Sequence, residues 1–328
     1  MPLHIPSDNN ADNITLLVAI PCLNEGCTIS EVIEAIPVKV EGVDSIAVLV
    51  IDDGSTDNTA EQAKASGAVV IRHTDNRGVG AAFKSAIDYA VANHFSLMVN
   101  IDGDGQFNPA DIPQLVAPIL AYKADMVTAS RFINPAMTPE MSKVKLRGNL
   151  MMSKLISFLT RSTFYDVSCG FRCYNRECLL HLNLHGAFTY TQETFLNLIS
   201  KQLRIIEIPI AVQYFADRKS RVAESIVKYA LNTSKIILRS YRDYFPLRFF
   251  WGIALAFFIP AVLFGTIFFS HFLITGKFSG YLAYGFTAAF LAILAIVFFI
   301  MGLMADMLVR IRVNQERILY HLKKTGME

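Results

Sequence analysis

The sequence predicts an α/β domain on a mostly parallel sheet, followed by an amphipathic helix and two membrane-spanning helices. Three observations carry this expectation. First, strand-like runs at residues 15–21, 45–52, 68–73, 96–102 and 125–131 alternate with helical patterns. That βαβα order lays strands side by side in parallel, with helices on both faces. Second, polar residues gather where the strands end, and that edge is where open α/β sheets bind ligands. Third, residues 249–276 and 278–305 each lack any Asp, Glu, Lys or Arg. Both exceed the roughly 20 apolar residues that cross a bilayer core as a helix.

Taken in order, the first strand ends at Pro21, with Asn24 and Glu25 just beyond. Ile29, Val32, Ile33 and Ile36 then repeat at helical spacing. The second strand runs through "AVLVI" into Asp52 and Asp53, and Asp57 and Thr59 read as helix-capping residues. After the third strand, Val79, Phe83, Ala86, Ile87, Ala90 and Val91 mark another helix. The fourth strand is the most informative, because "SLMVNIDGDGQFNP" runs from an apolar strand straight into Asp102 and Asp104, with Gln106 two further on. Residues i and i+2 on an extended chain share a side, and two like charges held there repel unless a cation sits between them; the alternative is a solvated Asp-Gly turn. Gly103 and Gly105 leave room for a bulky partner to approach the backbone. The fifth strand ends at Arg131.

The remaining composition sets bounds. The chain has 328 residues, a formal net charge of +2 and five cysteines. Cys22, Cys27, Cys169, Cys173 and Cys178 are odd in number and lack CxxC spacing, which argues for reduced thiols and against a zinc site. His181 and His185, four apart, find no partner for a metal. Hydrophobic residues make up 53% with mean hydropathy +0.38, and the excess sits in the last quarter. Before it, residues 221–246 form a basic amphipathic pattern: Arg221, Lys228, Lys235, Arg239 and Arg242 lie on one face, opposite Ile226, Ala230, Ile237 and Tyr241. Such a helix beside a span is expected to lie at an anionic surface. Arg239, Arg242 and Arg248 precede the first span, while Arg310, Arg312, Arg317, Lys323 and Lys324 follow the second. The positive-inside rule therefore places both ends in the cytoplasm of a multi-pass cell-membrane protein. No signal peptide is expected from the polar N-terminus, residues 1–13.

Five motifs stand in a telling order: "AIPCLNEG" at 19–26, "VIDDGSTDNT" at 50–59, "NRGVGAAFKSA" at 76–86, "NIDGDGQFNP" at 100–109 and "DVSCGFRCY" at 166–174. In this the chain resembles family-2 glycosyltransferases, in particular the branch with dolichyl-phosphate mannose synthase and bacterial polyprenyl-phosphate glucosyltransferases. The resemblance covers about residues 14–245, and the two spans match the glucosyltransferase-like subgroup. It implies a GT-A, Rossmann-like catalytic domain over 14–220, then the juxtamembrane helix at 221–246. The transmembrane hairpin follows at 247–306, with helices at about 249–274 and 280–305, and a basic tail at 307–328. It also implies a nucleotide-sugar donor, a polyisoprenyl phosphate acceptor, a bilayer, Mg²⁺ or Mn²⁺, and a homo-oligomer, a tetramer in the family. No nucleic-acid partner is expected.

By the same resemblance, Pro21, Asn24, Glu25, Asp52, Asp53, Lys84 and Asp102 are candidates for the nucleotide sugar. Arg218 and Arg221 fall where the family has a basic segment near the donor phosphates, although the usual Gly-Ser-Lys-like run reads Arg221-Val-Ala-Glu-Ser here. The family pattern makes Asp102, Asp104 and Gln106 candidate metal ligands, and a divalent cation would stabilise the charge on the leaving diphosphate. Arg131, Lys145 and Arg147 are candidates for the acceptor phosphate, since guanidinium forks suit it. An acceptor phosphate is already anionic near neutral pH, its second pKa being about 6, so it needs little help from a base. Asp166 and Glu193 are candidates for a base or an orienting carboxylate; as structural residues they would be a turn acid and a helix-surface acid. A processive polysaccharide synthase is the nearest rival, disfavoured because Trp251 does not stand in the Gln-x-x-Arg-Trp motif. A non-catalytic sugar-nucleotide binder is opposed by the intact Asp102/Asp104 pair. A redox dinucleotide fold fails because Phe83 stands where the third Gly of the fingerprint belongs.

Overall fold

The apolar run between Thr15 and Cys22 forms β1 (Thr15–Cys22), the strand around which the sheet is organised. In a computed structural model, which describes residues 13–183, 190–213, 234–235, 238–239 and 241–325, β1 pairs in parallel with β2 (Ser45–Asp52) on one side and β4 (Leu97–Asn100) on the other. β3 (Val69–Arg72) extends the sheet beyond β2, also in parallel. On the other flank lie β6 (Arg172–Asn175), β5 (Met126–Ser130) and β7 (Ile205–Pro209). The seven-stranded order is β3-β2-β1-β4-β6-β5-β7. β6 runs antiparallel to both of its neighbours, and β5 and β7 are parallel.

Helices cover the sheet as the periodicity requires. α1 (Ile29–Glu34) buries Ile29, Val32 and Ile33, and α3 (Val79–Ala92) buries Phe83, Ala86, Ile87, Ala90 and Val91. α2 (Thr59–Ala65), α4 (Ile112–Leu120), α5 (Lys143–Thr160), α6 (Arg176–His181) and α7 (Thr191–Ser200) complete the set. Leu16, Val18 and Ile20 of β1 share one core with Val99, Ile112, Leu115, Val127 and Phe171. The chain order turns back at β1, whose two neighbours are β2 and β4. The carboxyl ends of β1, β2 and β4 thus meet at the topological switch point, where a ligand crevice opens in such sheets.

The five expected strands are present with small shifts at their ends. The fourth stops at Asn100 rather than running on to Asp102, so the carboxylate pair stands on the loop just past the strand. β6 and β7 carry no expectation from the sequence, because a charged residue interrupts each: Arg172 in one and Glu207 in the other.

The chain divides into two compact units, residues 1–233 with 322–328, and residues 234–321. The second contains α8 (Pro246–Thr275) and most of α9 (Leu282–Thr325), both long and apolar enough to cross a membrane. Their rings pair: Trp251 stacks on Phe299 at 5.7 Å and Phe257 on Phe298 at 5.5 Å. α9 continues through the expected basic tail as one helix, with Asp306–Arg310 and Arg312–Glu316 pairing four residues apart. Most of the expected juxtamembrane helix, 221–246, lies outside the described residues.

Candidate active site

The ends of β1 and β2 are tied together by their own polar groups. Asn24, in the left-handed region at φ 52°, donates its backbone N–H to Ser55 Oγ at 2.8 Å and accepts from the Thr56 N–H at 2.7 Å. The Glu25 N–H donates to Thr59 Oγ1 at 2.8 Å. Asp57, expected as a cap, spans both loops, taking the N–H of Gly26 as well as that of Thr59. Asp52 accepts from the Ser55 N–H at 2.8 Å and pairs with Arg72 at 3.2 Å. Asp53 is still more enclosed. Its carboxylate takes the backbone N–H groups of Arg77 and Gly78 at 3.0 and 2.8 Å and meets His73 Nδ1 at 2.6 Å. His73 Nε2 in turn reaches Ser85 Oγ at 2.9 Å. These bonds pin the loop between β3 and α3 against the switch point.

The loop after β4 brings the carboxylate pair into the crevice. Gly103 has no room for a side chain, because a Cβ there would stand 2.4 Å from Cys22 Sγ. The space is filled by the protein's own β1, where the sequence led us to expect a ligand. Thr28 Oγ1 donates to the Gly103 carbonyl at 2.9 Å, and the Gln106 N–H donates to Asp104 at 3.0 Å. Gly170 lies against the other carboxylate; a Cβ there would sit 3.1 Å from Asp102 Oδ2. Asn100 fixes this side by donating to the Gly170 carbonyl at 3.0 Å, with the Tyr190 hydroxyl at 2.8 Å. Burial first, and then the like charge of Asp104, push the Asp102 carboxyl up to about 7; Glu25 adds to the rise, and Arg131 and Arg172 oppose it. That electrostatic strain is what a divalent cation would relieve, and the donors are the hard oxygens such an ion takes. Among the described residues no group of three His, Cys, Asp or Glu is arranged to hold an ion. The pair supplies two hard-oxygen donors suited to a divalent cation, and an ion held there would need further donors, for example from a bound ligand.

The cationic side starts from Arg131 at the end of β5. Its Nε donates to Asp166 Oδ2 at 2.6 Å and a terminal nitrogen donates to Asp166 Oδ1 at 2.8 Å and to Ser168 Oγ at 2.8 Å. Asp166 is fully buried. Burial alone would raise its pKa, but the charge and hydrogen bonds of Arg131 outweigh it and hold the carboxyl below its usual range. Asp166 thus orients the guanidinium and is poorly placed as a base. Glu207 supports it by accepting the N–H groups of Tyr165 and Asp166 at 2.8 and 2.7 Å. Lys145, in the first turn of α5, feels both Arg131 and Asp104: partial burial and the Arg131 charge lower its pKa while Asp104 raises it. Arg147, one turn into α5, is exposed.

Asn24, Glu25, Asp52, Asp53, Asp102, Asp104, Gln106, Arg131, Lys145 and Asp166 therefore all lie at the carboxyl edge of the sheet, on the strand ends or the loops and helix start beside them. Pro21 is within β1, opposite Ile51. Lys84 is exposed on α3. Glu193 is buried in the first turn of α7, not on a helix surface. Arg218 and Arg221 lie outside the described residues. His73, Ser85, Ser168, Tyr190 and Glu207 join the site network without having been expected, as does Arg172. The last is fully buried, donates to the carbonyls of Thr191 and Val167, and lies 4.9 Å from the Phe195 ring. A cation within the apolar run "GFRCY" was its one signal.

Comparison with known proteins fits this arrangement. Polyprenol monophosphomannose synthase of Mycolicibacterium smegmatis is 24% identical, over 67% of this chain and 78% of that protein. A UDP-N-acetylglucosamine–dolichyl-phosphate N-acetylglucosaminyltransferase of Methanococcus voltae is 28% identical, over 62% of this chain and 87% of that one. Among solved structures, glucosyl-3-phosphoglycerate synthase of Mycobacterium tuberculosis, crystallised with Mn²⁺, UDP and glucosyl-3-phosphoglycerate, superposes with a TM-score of 0.54 at 21% identity. It covers 73% of this chain and 86% of that one, which establishes a shared GT-A-type fold. Residues 17–182 match the family described as glycosyl transferase family 2, and the chain belongs to that family.

Proposed function

We propose that this glycosyltransferase moves a sugar from a nucleotide sugar of the UDP-glucose or GDP-mannose type to a polyisoprenyl phosphate, with inversion, at the cytoplasmic leaflet. The observation that carries this is that Arg131 lies within electrostatic reach of Asp102, and Lys145 within reach of Asp104. An anionic nucleophile can be held on the cationic side while a diphosphate leaves on the other. Asp102 and Asp104 would hold Mg²⁺ or Mn²⁺, with Gln106 as a further candidate ligand, and the ion would neutralise charge on the departing diphosphate. Asp166 keeps the Arg131 fork in one orientation, as a preorganised phosphate site requires. Arg147 and Lys145 open α5 toward the acceptor. Asn24, Glu25, Asp52 and Asp53 shape the nucleoside end of the crevice, chiefly by fixing its loops. One relative is named for transfer to dolichyl phosphate and another for synthesis of polyprenol monophosphomannose, and two spans in α8 and α9 would keep such an acceptor within reach.

The test is incubation of membranes containing the chain with a panel of labelled nucleotide sugars, followed by organic extraction. Label in an acid-labile, alkali-stable lipid fraction is the expected result. Label in polymer, or no transfer from any donor with metal present, would overturn the reading.

A further inference from the structure

The loop between β3 and α3 is built around one buried carboxylate, that of Asp53. A Cβ on Gly54, which holds φ +78°, would stand 2.8 Å from the Asn76 backbone nitrogen and 2.8 Å from the Asp75 carbonyl carbon. Residues 75 and 76 therefore lie directly on the backbone that follows Asp53. That packing brings two successive N–H groups to the carboxylate: Arg77 donates to Oδ1 at 3.0 Å and Gly78 to Oδ2 at 2.8 Å. His73, also buried, supplies a third donor, its Nδ1 lying 2.6 Å from Oδ1. A carboxylate only accepts, so the proton of this contact sits on Nδ1. Ser85 Oγ, 2.9 Å from Nε2, holds the far side of the ring. A carboxylate has about four acceptor positions shared between its oxygens. Oδ1 thus has its positions filled while Oδ2 keeps one, and among the described residues no other group donates to Asp53.

We propose that His73 is a positioning residue that sets the base specificity of the donor site: by occupying Asp53 Oδ1 it leaves one acceptor where a guanine needs two, and so selects a uridine nucleotide. The proposal rests on reading this end of the crevice as the nucleoside site, and it deepens that reading by naming the base. β2 and β4 flank β1, so the loop carrying Asp102 and Asp104 lies two strand spacings away, about 10 Å. That leaves room for a ribose between a diphosphate there and a base here. Asp52, the neighbouring acid, is fully buried against Ser55 and Arg72, which leaves Asp53 as the carboxylate of the pair to meet a base. Uracil presents one imide N–H between two carbonyls, and the open position on Oδ2 suits it. Guanine presents N1–H and N2–H side by side and pairs best with both oxygens of a carboxylate at once. With Oδ1 filled, one of those donors would lose water and gain no partner, a mismatch that polar pockets reject strongly. His73 exerts this selection through the carboxylate, without touching the nucleotide.

The experiment measures binding of UDP and of GDP to the full chain in detergent micelles with Mn²⁺, by calorimetry. Wild type should bind UDP about tenfold or more tightly than GDP, the factor that one unpaired buried donor costs. His73→Ala frees the Oδ1 position, and the UDP-to-GDP preference should collapse by a similar factor, about tenfold. His73→Asn keeps a side-chain N–H near the place of Nδ1 and loses the reach to Ser85, so its preference should stay close to that of wild type. A residue that merely stabilised the loop would weaken both nucleotides alike. An unchanged preference in His73→Ala, or an equal collapse in His73→Asn, would therefore overturn the proposal. So would a preference of the wild-type chain for GDP, a measurement that stands even if His73→Ala does not fold. That last outcome would leave the transferase reading intact. Binding of neither nucleotide would remove the donor reading and this proposal with it.

Discussion

At the scale of single residues, the site is governed by two carboxylates with opposite electrostatics. Asp102 is pushed up by burial and by Asp104, whereas Asp166 is held down by Arg131. If the first pair serves a cation, Asp104→Asn, nearly isosteric at a half-buried position, should preserve the fold and lower turnover about a hundredfold or more. Wild-type rates in that variant at limiting Mn²⁺ would remove the metal assignment. Asp166 gives a pH prediction instead. Its folded pKa lies below the unfolded value of about 3.9, so its contribution to stability is complete above that value. It is lost as pH falls through the lower folded value. Asp166→Asn should therefore melt lower than wild type at pH 6, with the gap closing below about pH 4; an unchanged gap across that range would mean the pair stores no such energy. Arg131→Ala should be costly for the same reason, at about 3–5 kcal/mol, because it strands a buried carboxylate. Arg131→Lys is the cleaner probe of the acceptor side. The strand-end acids and Arg131 were legible because they interrupt apolar runs. The pairing of Arg131 with Asp166, and the roles of His73, Ser85 and Glu207, were not, because they join positions 12 to 41 residues apart that only the folded sheet brings together.

At the scale of elements, the switch point between β1 and β4 explains why so many functional residues lie on few loops. Its geometry depends on close packing of the β4 loop onto β1, and Gly103 is where that packing is tightest. Gly103→Ala would set a methyl 2.4 Å from Cys22 Sγ, and overpacking of this kind costs about 1–3 kcal/mol. Cys22→Ala removes the obstructing sulfur, so the double variant should recover much of the lost melting temperature, and the two changes should be non-additive. Additive losses would show that the strain lies elsewhere in the loop. The parallel half of the sheet was legible because its strands are continuous apolar runs separated by helical periods. The flank from β6 to β7 was not, since Arg172 and Glu207 break the pattern in strands of four and five residues. Both charges are accommodated by tertiary partners, Arg172 by the carbonyls of Val167 and Thr191, and Glu207 by the Tyr165 and Asp166 N–H groups.

At the scale of the whole molecule, the question is which side of the membrane each part of the second unit occupies. A helix of the 44 residues in α9 is about 66 Å long, more than twice the roughly 30 Å of a hydrocarbon core. Residues 282–305 are free of charge and long enough to cross alone. From Asp306 onward the same helix carries paired charges, Asp306 with Arg310 and Arg312 with Glu316, as a segment in water or headgroups would. If α8 and α9 span a membrane, the boundary at Asp306 and the lone Lys277 between the helices predict, by the positive-inside rule, that the charge-rich end of α9 faces the cytoplasm. On that prediction α8 would begin on the same side, and the catalytic domain would share a compartment with the nucleotide sugars. In a Cys27→Ser background, a cysteine at Ser279 should react with a membrane-impermeant maleimide on intact cells. One at Thr325 should react only after permeabilisation. Labelling of both from outside, or the reverse order, would turn the hairpin over and place the domain where no nucleotide-sugar pool reaches it.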